Sequence, residues 1–144
     1  MPADSAYIDT SVLGAYYCPE ALSTAAETAL QKIRTPVISL LSEVEFCSLI
    51  SRKRRLKEFS ERQAKQILDL FGTHVAEGFY RRLALTTEHF LKARQLLAAE
   101  IGSLHTLDAL HLTVALAESL PLMTADRDFA KAAKRHGTPV IQIK

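Results

Sequence analysis

The chain has 144 residues, 48% of them apolar and 24% charged. That length and balance suit one globular domain able to bury a core without disulfides or structural metals, and they exclude long disorder and a membrane-embedded chain. Eighteen Lys and Arg stand against sixteen Asp and Glu, a net charge of +2, so bulk charge announces no nucleic-acid partner and only the placement of charges can argue for one.

No run of about 18 apolar residues occurs, and the opening Met-Pro-Ala-Asp-Ser lacks the basic start and apolar stretch of a secretory signal, so the expected location is the cytoplasm. Cys18 and Cys47 have neither CxxC nor Cys/His zinc spacing and are expected to be buried free thiols.

The first apolar run, Ala6–Asp9, reads as a buried strand closing on an acid. In Ala6-Tyr7-Ile8-Asp9-Thr10-Ser11 the Asp9 carboxylate stands at the strand's carboxyl end, where a helix begins; helix capping is the plain alternative for such an Asp. Glu20–Ile33 has few breakers and reads as a helix, and Pro36–Leu40 as the second strand. The next helix, Leu41–Lys53, carries Glu43 and Glu45, which lie two apart and face different directions, so only one of them can point into a shared site. Its end holds the densest basic run, Arg52-Lys53-Arg54-Arg55 with Lys57. Those cations complement the helix dipole as a solvated face, or they hold a nucleic-acid backbone.

Ser60–Phe71 opens with a Ser cap and Gln63 in capping-box register. Arg82–Leu85 is the third strand, followed by helices over Thr87–Ala99 and Thr106–Ser119. Asp108 sits in the early turn of the latter, where the helix dipole alone favours an acid. His111, one turn on and on an apolar helix, is expected to be a packed, hydrogen-bonded core residue rather than a metal ligand. Leu122–Thr124 is the fourth strand, again followed by acid in Ala125-Asp126-Arg127-Asp128. A helix over Asp126–His136 stops at Gly137, and Val140–Ile143 is the last strand.

Strands alternating with helices of this length imply an α/β fold with a parallel sheet covered on both faces. Ligand chemistry in such a sheet gathers at the carboxyl ends of the strands, near the reversal of strand order. Asp9, Glu45, Asp108 and Asp126 would converge there. Four carboxylates in one cleft are costly unless a cation joins them, and an all-oxygen donor set suits Mg²⁺ or Mn²⁺ rather than zinc. Ions of that kind serve phosphodiester cleavage.

In this order and spacing the residues resemble the PIN-domain family, in particular the VapC-like toxins of bacterial and archaeal toxin–antitoxin pairs. The likeness runs from Asp9-Thr10-Ser11 through Ile38-Ser39 to Glu45 and Arg52-Lys53-Arg54. It continues at Leu107-Asp108-Ala109-Leu110-His111-Leu112 and closes on Leu122 to Phe129. It implies a three-layer α/β/α sandwich with a five-stranded parallel sheet, formed by residues 1–144 as one domain. The implied activity is a Mg²⁺- or Mn²⁺-dependent endoribonuclease that directs water in line at an RNA phosphodiester, leaving 5′-phosphate and 3′-hydroxyl ends.

By position, Asp9, Glu45, Asp108 and Asp126 match the family's catalytic and metal-binding acids, Asp128 a more variable fifth acid, and Ser11 and Thr124 the supporting polar residues. Arg52, Lys53, Arg54 and Arg55 are the candidate RNA contacts. The resemblance also implies a homodimer and a cognate antitoxin whose segment binds the cleft. Ser42 and Glu43 depart from the family's apolar or small residues, and Glu43 either faces solvent or enlarges the metal site.

Two rivals stand beside this reading. A catalytically silent PIN-fold interaction module would have no need of all four acids. A haloacid-dehalogenase-like phosphatase requires a second Asp where Ser11 stands. No GxGxxG follows the first strand, which excludes a nucleotide-binding Rossmann enzyme.

Overall fold

The computed structural model describes residues 4–144; Met1–Ala3, on which the expectation about a secretory signal partly rests, lie outside the described residues. Five strands, β1 (Ser5–Ile8), β2 (Thr35–Ser39), β3 (Arg81–Leu83), β4 (Leu122–Thr124) and β5 (Val140–Gln142), form one sheet in the order β3-β2-β1-β4-β5. Every neighbouring pair is parallel. Parallel neighbours need long crossovers, and helices fill each one. These are α1 (Thr10–Tyr17) and α2 (Ser23–Gln31), α3 (Leu40–Arg55) and α4 (Glu61–Ala76), α5 (Thr87–Ala99) and α6 (Thr106–Ala117), then α7 (Arg127–Arg135).

Strand alternation sorts the side chains into two layers of core. Ala6, Ile8, Ile38 and Met123 pack with Val12, Ala26, Phe46 and Phe71 of α1 to α4. Tyr7, Val37 and Leu122 point the other way, onto Ala93, Leu112 and Phe129 of α5 to α7. The result is the α/β/α sandwich expected from the sequence. Because β2 and β3 extend the sheet on one side of β1 while β4 and β5 extend it on the other, the crevice of strand-order reversal opens between β1 and β4.

Several boundaries differ from expectation. The helix expected over Glu20–Ile33 is shorter, and α1 precedes it without having been assigned a range from the sequence. The two are split at Cys18, whose extended backbone (φ −107°, ψ 138°) is what a residue before proline adopts. α4 passes through Gly72 rather than ending at Phe71. A helical Gly is unfavourable by about 1 kcal/mol, but Phe71 is held against Phe46 with ring centroids 4.6 Å apart, and the chain turns only beyond it, at Gly78 (φ 76°). Cys18 is buried as expected; Cys47 is exposed, because it follows Phe46, which turns the buried face of α3 inward.

Candidate active site

A cleft of about 530 Å³ lies past the carboxyl ends of the central strands, bounded by α1, α3 and the start of α6. Asp9, Ser11, Glu45, Asp108 and Asp126 line it, together with Arg52, Lys53 and Arg55 from the end of α3. The local structure accounts for each placement. Asp9 follows β1 directly, Asp126 precedes α7, Asp108 is in the first turn of α6, and Glu45 comes one turn into α3.

Three anticipated residues lie elsewhere. Thr124 is buried beneath the cleft. Arg54 is not among the lining residues, and Asp128 borders an adjoining hollow that shares Asp108 and Asp126 with the cleft. Glu43 is turned aside. Both its oxygens accept from Arg82, at 2.9 and 2.8 Å, which favours the solvent-facing alternative for this acid.

The two strand-end aspartates behave differently. Asp126 is a helix cap: its Oδ1 accepts from the backbone N–H groups of Asp128 (2.9 Å) and Phe129 (3.0 Å). Asp9 occupies the equivalent position before α1 but makes no side-chain capping bond. Its Oδ2 instead accepts from the Ser11 hydroxyl at 2.6 Å and the Thr124 hydroxyl at 2.8 Å. Capping therefore explains half of the Asp126 carboxylate and none of Asp9. Burial pushes the Asp9 carboxyl above its ordinary range, although the Ser11 and Thr124 hydroxyls and the nearby His111 pull against it.

Glu45 is held from two sides. The Thr10 hydroxyl and His111 Nε2, the latter at 2.7 Å, both engage Oε1. Burial on its own would raise this carboxyl, but the hydrogen bond from His111, the charge that imidazole carries when protonated, and the Thr10 hydroxyl outweigh it and hold Glu45 below the usual value. Behind it, His111 Nδ1 lies 2.6 Å from the Tyr7 hydroxyl, which is 2.8 Å from Ser39 Oγ. Asp108 has the opposite surroundings. Burial and then the negative charges of Asp9 and Asp126 push it up to about 6, against the weaker pull of His105 and His111.

An oxygen-only donor set with one carboxyl raised by its acidic neighbours is the chemistry that a hard divalent cation relieves. Among the described residues no three His, Cys, Asp or Glu side chains already close around one point.

Sequence reasoning passed over Thr10 and Glu20. Thr10 lies inside the Asp-Thr-Ser block and could have been found as a hydroxyl between Asp9 and Ser11. Glu20 lines the cleft from beyond the break at Cys18, and no local pattern marks it. His111 is packed and hydrogen-bonded, only 1% exposed, and one of its partners is the site itself.

The PIN-domain family model matches residues 6–135, and the chain belongs to the PIN-domain family. Its fold is similar to that of the Mycobacterium tuberculosis toxin VapC20, described as cleaving the sarcin–ricin loop, at TM-score 0.70 and 19% identity over 88% of this chain and 93% of that one. It is also similar to a chain of VapBC2 from Rickettsia felis, solved with a fragment of promoter DNA, at TM-score 0.69 and 16% identity over 97% and 99%. FitAcB from Neisseria gonorrhoeae matches at TM-score 0.61 and 18% identity over 94% and 95%. Comparison with curated protein sequences gives no match.

Proposed function

We propose that this chain is a divalent-metal-dependent endoribonuclease, acting as one domain over residues 1–144 and serving as the toxin of a toxin–antitoxin pair. The observation that carries the reading is the cleft itself. Asp9, Glu45, Asp108 and Asp126 come from four separate parts of the chain and line one hollow, where burial and then the acidic neighbours raise the Asp108 carboxyl. Membership of the PIN-domain family and the likeness to toxin chains support the same reading.

Mg²⁺ or Mn²⁺, when bound, supplies Lewis acidity toward a phosphodiester and makes water a better nucleophile. The chain's own residues do the rest. Ser11 and Thr124 fix one oxygen of Asp9, leaving the other for the ion, and Asp108 and Glu45 complete the anionic wall with Asp128 as an outlying fifth acid. Asp126 spends Oδ1 on its helix, so its second oxygen is the one open to the attacking water and its proton. Arg52 and Arg55, with Lys53 and the more distant Arg54, hold the RNA backbone beside the acids.

The reading extends to a homodimer, a cognate antitoxin that covers the cleft, and a cytoplasmic setting. Structures with this fold include toxin–antitoxin complexes, and among the described residues no helix is long and apolar enough to cross a membrane.

The test is cleavage of total RNA by purified protein, with the new ends sequenced. Cleavage that EDTA abolishes, that Mn²⁺ restores and that Asp9→Asn lacks is expected. EDTA-resistant cutting would overturn the metal requirement. Intact RNA in every lane, with no Mn²⁺ binding by calorimetry, would leave an interaction module in its place.

A further inference from the structure

Beneath the cleft runs a buried polar chain that the proposed chemistry does not use directly. Tyr7 and His111 are respectively 0% and 1% exposed. Both come from stretches that are otherwise core: Tyr7 lies between Ala6 and Ile8 of the central strand β1, and His111 within the buried run Ala109–Ala115 of α6. Two such groups in a core are unfavourable unless every polar atom finds a partner. They do find partners, and the chain of partners ends on Glu45.

Ser39 Oγ lies 2.8 Å from the Tyr7 hydroxyl, which lies 2.6 Å from His111 Nδ1, while His111 Nε2 lies 2.7 Å from Glu45 Oε1. The serine end is itself fixed, because Ser39 and Ser42 form a reciprocal capping box at the start of α3. Each link therefore sits on a different rigid element: the end of β2, then β1, then α6, then α3.

The chemistry of the groups gives the chain a direction. A carboxylate only accepts, so His111 must carry its hydrogen on Nε2 to bond Glu45. A neutral imidazole with Nε2–H has a bare Nδ1 that only accepts, and a phenol, protonated at neutral pH, is the donor placed to satisfy it. The Tyr7 oxygen is then free to accept from Ser39. Both protein bonds to Glu45, from Thr10 and from His111, fall on Oε1, and Oε2 has no hydrogen-bond partner among the described residues.

Resting on the nuclease reading of the cleft, we propose that Tyr7 and His111 are positioning residues. The Tyr7 hydroxyl donates to His111 Nδ1, holds the imidazole as its Nε2–H tautomer, and so pins Oε1 of Glu45 and leaves Oε2 as the oxygen presented to the cation. Neither residue touches substrate. Their role is to fix the rotamer of one ligand, as the outer partners of metal-binding groups commonly do.

Two measurements test this independently. Nitrogen-15 NMR of the imidazole at pH 8, on full-length protein without metal, reads the tautomer. Wild type is expected to show His111 as Nε2–H, and Tyr7→Phe to lose that bias. His111 as Nδ1–H or as imidazolium in wild type would overturn the relay whatever the enzyme does. Calorimetry with Mn²⁺ reads the consequence. Tyr7→Phe is expected to weaken binding on the order of tenfold, His111→Leu more, and His111→Gln less than His111→Leu, because the Gln amide can donate to Oε1.

A structural role alone would give equal losses for Leu and Gln, and Tyr7→Phe with wild-type affinity would overturn the proposal even if His111→Leu fails to fold. If wild type binds no Mn²⁺ while the tautomer is as expected, the failure belongs to the metal reading and not to the relay.

Discussion

Two acidic regions of this molecule have opposite surroundings. At the end of α5, Glu100 accepts two bonds from Arg135 of α7, at 3.1 and 2.8 Å, and one from Ser103 at 3.0 Å; the Arg135 bonds chiefly pull its carboxyl down to about 2. In the cleft, Asp108 is half-buried beside Asp9 and Asp126 and is pushed up to about 6. Its one ion-pairing neighbour among the described residues is the imidazole of the exposed His105, 3.5 Å away. A chain folded for stability alone would pair its acids as it pairs Glu100. Leaving Asp108 among like charges sacrifices stability at neutral pH, and groups perturbed in that direction within a cleft are the ones that mark a functional site.

Neutralising one acid of each kind is the hardest test of that contrast. Asp108→Asn is expected to lower RNA cleavage about 100-fold or more, the scale set by losing a group that acts in the reaction, with an unchanged circular dichroism spectrum. Glu100→Gln should leave cleavage within about twofold of wild type, since its partners lie outside the acidic site. Equal losses from the two substitutions, measured as kcat/KM on one RNA, would dissolve the distinction.

The same contrast has a signature in pH. The carboxyl of Asp108 is raised on folding, so its contribution to stability is full below the unfolded value near 3.8 and is lost as pH climbs through about 6. Glu100 is lowered, so its contribution is present above the unfolded value near 4.5 and is lost as pH falls toward about 2. Metal-free protein should therefore lose stability between pH 4 and 7 on account of Asp108, on the order of 2 kcal/mol after allowing for solvent screening. Asp108→Asn should flatten that limb in urea titrations, whereas Glu100→Gln should act only at the acid end. Mn²⁺ should raise Tm more at pH 7 than at pH 5; an equal rise at both would place the ion away from these acids.

This difference between the regions also explains what the sequence could and could not disclose. Asp9, Asp108 and Asp126 were legible because each stands at the edge of a strongly patterned strand or helix, and such edges map onto one side of a parallel sheet; Glu45, inside its helix, was separated from Glu43 only by the family resemblance. The parallel sheet and its two covering layers followed from strands alternating with helices, whereas the strand order became visible only in the fold. The environment of each acid was not legible. Nothing in the spacing says that Asp126 caps its helix while Asp9 does not, or that Glu43 turns to Arg82, because those outcomes depend on hydroxyls and guanidinium groups far away in sequence. Glu20 was illegible for a related reason: it stands at the start of a segment that reads as an ordinary helix, and only the folded chain brings it to the cleft.

The basic end of α3 extends the comparison to cations. Lys53 is already engaged, 3.3 Å from Glu58, whereas Arg52 has no ion-pair partner among the described residues. Arg52→Ala should weaken RNA binding several-fold and reduce the slope of log affinity against log salt by about 1. Arg54→Ala, outside the cleft, should do so less. Identical slopes for both variants would show that the run acts as a diffuse positive face rather than as contacts within the cleft.

The smallest expected effect concerns Glu43, the acid that sequence left between two roles. It is paired at both oxygens with an Arg82 guanidinium that is itself exposed, and ion pairs at a surface contribute little once solvent screening and side-chain ordering are counted. Glu43→Gln keeps the shape and one acceptor for Arg82. It should therefore lower Tm barely beyond the error of the melt, leave Mn²⁺ affinity alone and leave cleavage at the wild-type rate. The value of so quiet a variant lies in its position, two residues from Glu45 on the same helix. If direction rather than proximity decides which acid belongs to the site, Glu45→Gln should abolish what Glu43→Gln preserves. A tenfold loss of Mn²⁺ affinity in Glu43→Gln would mean that Arg82 releases this carboxylate when an ion arrives, and that Glu43 joins the acids within reach of it.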